Sequence, residues 1–147
     1  MKIRPATPAD VPFMLALEKH AVTASHWSPQ HYEAIFAAAD QGRLGFVLEE
    51  ESGLQAFLIA RVVRNEWEIE NIAVAGPARR RGLGTRLLGE FLDHVKANAG
   101  ERVFLEVRES NRAARSLYEK WAFLEAGRRK KYYRDPSEDA VIYQLEL

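Results

Sequence analysis

A mixed α/β fold is what this sequence predicts: one mixed sheet with helices on both faces, in the order βααβββαβαββ, within a single domain of residues 1–147. Three observations carry that expectation. Short strand-like apolar runs alternate with helical patterns and are separated by turn residues. Leu83, Leu87, Leu88, Phe91, Leu92 and Val95 recur at helical spacing and leave one polar face. The chain has 147 residues, 47% of them hydrophobic and 29% charged, which suits one core in an ordinary soluble domain. No linker, internal repeat or low-complexity stretch divides it.

Taken in order, Ile3–Ala6 reads as a short strand. Thr7-Pro8-Ala9-Asp10 reads as a helix start: Thr caps, Pro takes the first helical position and Asp suits the first turn. Val11, Met14, Leu15 and Glu18 give that helix a half-apolar face. Residues 21–27 are irregular. Ser28-Pro29 repeats the cap-plus-proline signal, Tyr32, Ile35, Phe36 and Ala39 continue a second helix, and Gly42 stops it. Gly45–Glu50 and Leu54–Val63 are strands joined by the turn Glu51-Ser52-Gly53. Trp67–Val74 is the next strand. The long helix follows and ends near Asn98-Ala99-Gly100. Val103–Val107 is a strand, Asn111–Lys120 a short helix, and Phe123–Tyr133 and Ala140–Leu147 are the closing strands.

Several function classes are excluded. Formal net charge is zero, so no basic footprint favours nucleic acid. No apolar run approaches the roughly 20 residues of a membrane span, and Met1–Pro5 lacks the apolar core of a signal peptide. A cytoplasmic location is expected, with neither membrane nor nucleic acid as partner. The chain has no cysteine. Disulfides, thiolate metal sites and an acyl-cysteine intermediate are therefore ruled out. His20, His26, His31 and His94 show no ligand spacing, so no metal is expected. His94 is placed on the surface of the long helix.

The stretch that bears on chemistry is Arg79-Arg80-Arg81-Gly82-Leu83-Gly84-Thr85-Arg86. It lies between the strand Ile72-Ala73-Val74 and the long helix. A helix start offers unpaired N–H groups and a positive dipole end, glycines let a ligand approach the backbone, and the arginines add charge. That is a cradle for a pyrophosphate. The plainer alternative is a helix start with glycines for close packing. A dinucleotide fingerprint is absent, because Leu87 stands where the third glycine belongs, and no Gly-Lys pair makes an ATPase loop. The second stretch runs from Leu105-Glu106-Val107-Arg108 through Asn111 to Ser116-Leu117-Tyr118. Glu106 interrupts the buried-looking run Val103–Val107. By pattern alone it is either a functional carboxylate, an edge-strand residue facing solvent, or the partner of an arginine. Tyr118 is equally a packing tyrosine, and Asn111 a helix cap.

Arg-x-x-Gly-x-Gly after an Ile-Ala-Val strand resembles the acyl-coenzyme A loop of the GNAT N-acetyltransferases. Leu-Glu-Val-Arg-x-Ser-Asn-x-x-Ala-x-x-Leu-Tyr-x-x-x-x-Phe, with Asn71–Val74, Tyr132-Tyr133 and Glu138–Ile142, is similar to the RimI-like subgroup, which acetylates N-terminal alanines of ribosomal proteins. The likeness runs from about residue 54 to the end. It implies the fold of that family, a mostly antiparallel mixed sheet, and acetyl-CoA as co-substrate. Arg79, Arg80, Arg81, Gly82, Leu83, Gly84 and Thr85 then form the pyrophosphate loop. Backbone groups of Ile72, Ala73 and Val74 bind the pantetheine arm, and Asn111 contacts the cofactor. Glu106 is implied as general base and Tyr118 as general acid.

The chemistry is consistent with those roles. A peptide α-amine has a pKa of about 7.7–8 and attacks a thioester only when neutral, so a carboxylate that takes one proton suffices. A strand N–H near Val74 can stabilise the oxyanion, and a phenol can protonate the leaving thiolate. Glu68 and Glu70 share one side of their strand. Either solvates that face or serves the acceptor, Glu70 as a rival base or as a charge that holds a cationic substrate. Trp121-Ala122 replaces a more usual Leu-Gly. Ala21–Trp27 is about two residues longer than its RimI-like counterpart, and an extended acceptor is expected between this loop, including Trp27, and Tyr132-Tyr133. Arg128-Arg129-Lys130-Lys131 is either alternating solvated charge or a rim for phosphate or an acidic partner. The reading is a direct N-acetyltransferase acting on a protein N-terminus. The alternatives are an acetyltransferase of a small amine or amino acid, and a noncatalytic acyl-CoA-binding module.

Overall fold

Each helix starts where the local chemistry allows. The computed structural model describes residues 1–19, 28–36, 42–78, 81–134 and 136–147. Strand β1 (Lys2–Pro5) leads into a 3-10 turn at Pro8–Asp10 and helix α1 (Val11–Lys19). The Asp10 carboxylate accepts the Thr7 N–H at 2.8 Å and the Arg4 guanidinium at 2.8 Å, tying strand to helix. Helix α2 (Pro29–Ile35) begins as expected, with Ser28 Oγ accepting the His31 N–H at 3.1 Å. Its described part ends with Phe36 as cap, and Ala39 lies outside the described residues.

The remaining elements are β2 (Arg43–Glu50), β3 (Gly53–Val63), β4 (Glu66–Val74), α3 (Leu83–Ala97), β5 (Arg102–Arg108), α4 (Arg112–Lys120), β6 (Leu124–Tyr133) and β7 (Glu138–Glu146). The seven strands form one sheet in the order β1-β2-β3-β4-β5-β7-β6. Every pairing is antiparallel except β4 with β5. The connection between those two strands is α3, as a parallel pair requires.

Two cores sandwich the sheet. Helices α3 and α4 pack Leu87, Leu88, Phe91, Val95 and Tyr118 against Leu58, Trp67, Ile69, Val103, Leu105 and Tyr143. Helices α1 and α2 pack Val11, Met14, Leu17, Tyr32 and Ile35 against Val47, Phe57, Ile59 and Ala73. Full burial of one such side chain contributes about 1.5–3 kcal/mol.

Two local outcomes differ from expectation. His94 is half-buried, edge-on to Phe46 and Trp67 at 5.5 and 5.7 Å, not a surface residue. At the end of α3 the left-handed residue is Ala99, with φ 57°, one place before Gly100. Gly100 serves a different need. A Cβ there would stand 2.3 Å from Val95 Cγ1 and 3.0 Å from Trp67, so no side chain fits.

Candidate active site

The sheet opens at one point, and a backbone irregularity lies beside it. In β4, Asn71 pairs with Ile59 and Ile69 with Ala60, so Glu70 is an extra residue, a β-bulge. The bulge reverses the faces of the strand. Ile69 packs under α3, whereas Asn71 and Ala73 face α1 and α2. The parallel ladder between β4 and β5 stops at Ile69–Leu105, although β4 runs on to Val74 and β5 to Arg108. Beyond Leu105, β5 stays paired with β7 through Arg108. The two central strands therefore diverge, and Ile72, Ala73 and Val74 lie on the β4 side of the opening.

Helix α3 starts next to it. Gly82 is the N-cap with φ 76° and ψ 15°, a left-handed conformation suited to glycine. No side chain caps the first turn, which comprises Leu83, Gly84 and Thr85. A Cβ on Gly82 would meet nothing within 4 Å, and one on Gly84 would point between Leu117 and Val74, at 3.5 and 3.6 Å. The backbone is thus approachable from the side of the opening. Leu83 is buried in the core and anchors the turn. Arg81 is paired with Glu50, with Nη–Oε contacts of 2.9 and 2.8 Å. Arg79 and Arg80 lie outside the described residues. Asn111 caps α4, its Oδ1 accepting the Ala114 N–H at 3.1 Å.

Tyr118 lies on α4, packed into the core on the α3–α4 face of the sheet. It is 3% exposed, and its ring packs against Phe123 and Tyr143 at 5.7 and 6.1 Å. Burial, then the nearby Tyr133, pushes its phenol well above the ordinary tyrosine value. Two devices hold it there. Arg115 Nε donates to Tyr143 Oη at 3.0 Å, and Tyr143 Oη donates to Glu119 at 2.9 Å, locking α4 on β7. At the helix end, Phe123 N–H donates to Tyr118 O and Ala122 N–H to Glu119 O, with Ala122 left-handed at φ 68°. This is a Schellman closure made with alanine where glycine is usual.

Glu106 belongs to the opposite face of β5 from Val103, Leu105 and Val107. Its side chain is 17% exposed and accepts Arg129 Nε at 2.7 Å. Sequence pattern allowed an arginine partner, and this is it. Tyr133 is felt by both candidate groups: burial, then the charge of Glu106, raises its phenol to about 12, and it in turn acts on Tyr118. Arg108 covers the Tyr133 ring at 4.4 Å. Tyr132 is exposed, and the charge of Glu106 is the main cause of its raised pKa.

Glu68 is half-buried, and burial, then the charges of Glu70 and Glu106, raises its pKa. Glu70 is gripped by Arg43, Nε to Oε1 at 2.8 Å and Nη2 to Oε2 at 3.2 Å. Trp27 lies outside the described residues, as does the rest of the expected 21–27 loop. Among the described residues, no group of three or more His, Asp or Glu is arranged to hold a metal.

One polar cluster escaped sequence reasoning. Glu18, Tyr32 and Asn71 are all buried. Tyr32 Oη donates to Glu18, and Asn71 Nδ2 contacts Glu18 Oε2 at 3.2 Å and Tyr32 Oη at 3.1 Å. It ties α1 and α2 to the residue after the bulge. A signal for the bulge was present: the strand's apolar residues fall at 67, 69, 72 and 74, a slip of one in the alternation.

The arrangement offers an uncapped glycine helix start, an opening between β4 and β5, the Glu106 carboxylate on one face of β5 and the Tyr118 phenol packed on the other. The sequence profile of the Acetyltransferase (GNAT) family matches residues 13–123. A [ribosomal protein bS18]-alanine N-acetyltransferase of Escherichia coli (strain K12) is 37% identical over 142 residues, covering 94% of this chain and 92% of that protein. A protein of the same description from Haemophilus influenzae is 35% identical over 126 residues, 84% and 86% of the two chains. The crystal structure of the ribosomal-protein-S18-alanine N-acetyltransferase from Escherichia coli superposes with a TM-score of 0.88 at 34% identity, over 99% of this chain and 92% of that one.

Proposed function

Because the chain belongs to the acetyltransferase (GNAT) family, whose members use acetyl-CoA as co-substrate, we propose that it transfers acetyl directly to the N-terminal α-amine of a ribosomal protein. One domain, residues 1–147, carries the activity in the cytoplasm. The observation that carries the reading is the end of the β4–β5 ladder at Ile69–Leu105 beside the uncapped glycine start of α3. An extended pantetheine arm fits alongside Ile72, Ala73 and Val74, where β4 has lost its neighbour. The first-turn amides of Leu83, Gly84 and Thr85, near the helix's positive end, suit the diphosphate. The family resemblance assigns Arg79 and Arg80 to the same loop and gives Asn111, the α4 cap, a contact with the same ligand.

Glu106 takes the proton of the acceptor ammonium, directly or through water, leaving the amine lone pair free to attack the thioester carbonyl. Strand N–H groups beyond the bulge face the oxygen on which charge gathers. Tyr118, a phenol kept protonated by burial, gives its proton to the departing sulfur. Glu68 and Tyr132, both within electrostatic reach of Glu106, are assigned to the acceptor side, and Trp27 is assigned to it from the sequence alone. Both carboxylates carry an arginine, but Arg43 grips Glu70 through two contacts with its side chain 15% exposed, whereas the Arg129 side chain on Glu106 is 57% exposed and more readily displaced, which favours Glu106 as base.

The acceptor follows from the relatives, which are named for ribosomal protein alanine. The test is acetylation of short peptides with a free N-terminal alanine, set against small amines and amino acids, with release of free thiol as readout. The expected result is turnover on the alanine peptide. Turnover only on small amines would replace the acceptor, and acetyl-CoA binding with no turnover on any amine would make the chain a binding module.

A further inference from the structure

Arg129 occupies a position that the acceptor itself needs, and the fold goes to some length to put it there. Arg129 and Tyr132 are three residues apart on β6, and a regular strand would send them to opposite faces. The register prevents this. Arg129 pairs with Ala140 and Tyr133 with Glu138, so residues 130–132 bulge opposite Asp139 alone. Lys131 is left-handed, with φ 50°, and its N–H donates to Asp139 Oδ1 at 2.9 Å. The outcome is an Arg129 guanidinium that bonds Glu106 at 2.7 Å and also lies over the Tyr132 ring, 5.5 Å from its centre.

An arriving N-terminal amine is mostly an ammonium at neutral pH, and the carboxylate it must meet already carries the Arg129 guanidinium. An ammonium arriving at Glu106 meets the like charge of Arg129 on the same carboxylate and competes with it. Arg129 is 57% exposed, and an ion pair of that kind is readily exchanged. The Tyr132 ring offers the guanidinium a second seat when it leaves. We infer that Arg129 is a positioning and specificity residue: from β6, across β7, it holds the Glu106 carboxylate in the free enzyme and yields it to the acceptor's ammonium, so that binding the acceptor is an exchange of one cation for another. The groups facing Glu106 are then Arg129, Glu68, Tyr132 and Tyr133. Their mixture of one cation with an acid and two phenols favours a single incoming positive charge.

This inference rests on Glu106 being the acceptor-side carboxylate of the proposed function. The experiment uses the full chain with acetyl-CoA and a short peptide bearing a free N-terminal alanine. Arg129→Gln should lower the peptide KM by about two- to fivefold, leave the acetyl-CoA KM unchanged and keep kcat at or above the starting value. Arg129→Lys, which restores a cation, should bring the peptide KM back toward the starting value. A purely structural role for Arg129 would lower Tm and leave the peptide KM alone. An unchanged or raised peptide KM in Arg129→Gln overturns the exchange. In a Glu106→Gln background the effect of Arg129→Gln on peptide KM should vanish, and its persistence also overturns the exchange. Loss of kcat in Glu106→Gln alone judges the base assignment separately, so the two ideas fail by different measurements.

Discussion

Replacing Gly84 by alanine separates the two jobs a glycine can do at the start of α3. An added Cβ meets Leu117 Cδ2 at 3.5 Å and Val74 Cγ2 at 3.6 Å, which is ordinary contact, so the fold accepts it. Better helix propensity adds up to about 1 kcal/mol of stability. The methyl nevertheless stands between β4 and α4, where a ligand must pass to reach the first-turn amides. An overpacking cost of about 1–3 kcal/mol then falls on binding, which weakens Kd by about ten- to a hundredfold. Gly82→Ala is the contrasting case. Its Cβ meets nothing within 4 Å, but φ 76° strains any residue with a Cβ, by about 1–2 kcal/mol. At this chain length that is about 2–4 °C of Tm per kcal/mol. Thermal unfolding and calorimetric titration with acetyl-CoA read both variants. Gly84→Ala should melt at or above the parent temperature and bind poorly, and Gly84→Glu should not bind. A Gly84→Ala variant with normal Tm and unchanged Kd would refute the cradle.

Other expectations are independent of that loop. Glu106→Gln should cut kcat about a hundredfold or more with acetyl-CoA affinity kept; if Glu70→Gln is the damaging change instead, the base has been misassigned. Glu68 has a raised pKa in the folded state. Its protonated form is the favoured one, so its stabilising share is complete below the ordinary glutamate range and is lost as pH rises through the raised value. Urea unfolding should accordingly show Glu68→Gln more stable than the parent at neutral pH and equal to it near pH 4. Asp10 has the opposite sign. Its bond to Arg4 is the leading cause of a lowered pKa, so its contribution is present above the ordinary aspartate range and fades on further acidification, and Asp10→Asn should flatten that acid limb. Ala122→Gly relieves a left-handed alanine at φ 68° and should stabilise by about 0.5–1 kcal/mol, visible as a higher urea midpoint without change in kcat.

Local pattern reached a long way into this molecule. Ser28-Pro29 and Thr7-Pro8 marked helix starts because caps and prolines act within one turn. The slip in apolar spacing between Ile69 and Ile72 held the bulge in plain sight, yet regular alternation was assumed across it. Glu18 was placed on a half-apolar face of α1, but its partners Tyr32 and Asn71 are 14 and 53 residues away. The same limit applied to Arg129: an arginine partner for Glu106 was a live alternative, and its identity lies 23 residues on, across β7.

What the chain order alone determined were the elements, the glycine helix start and the carboxylate in an apolar strand. These depend on hydrophobic period, capping and backbone freedom, which are properties of neighbouring residues. Only the tertiary structure decided where β4 parts from β5, which charges face Glu106 and which arginine neutralises Glu70. Those outcomes are set by register and by the packing of distant segments, and no short stretch of sequence contains both sides of such a contact.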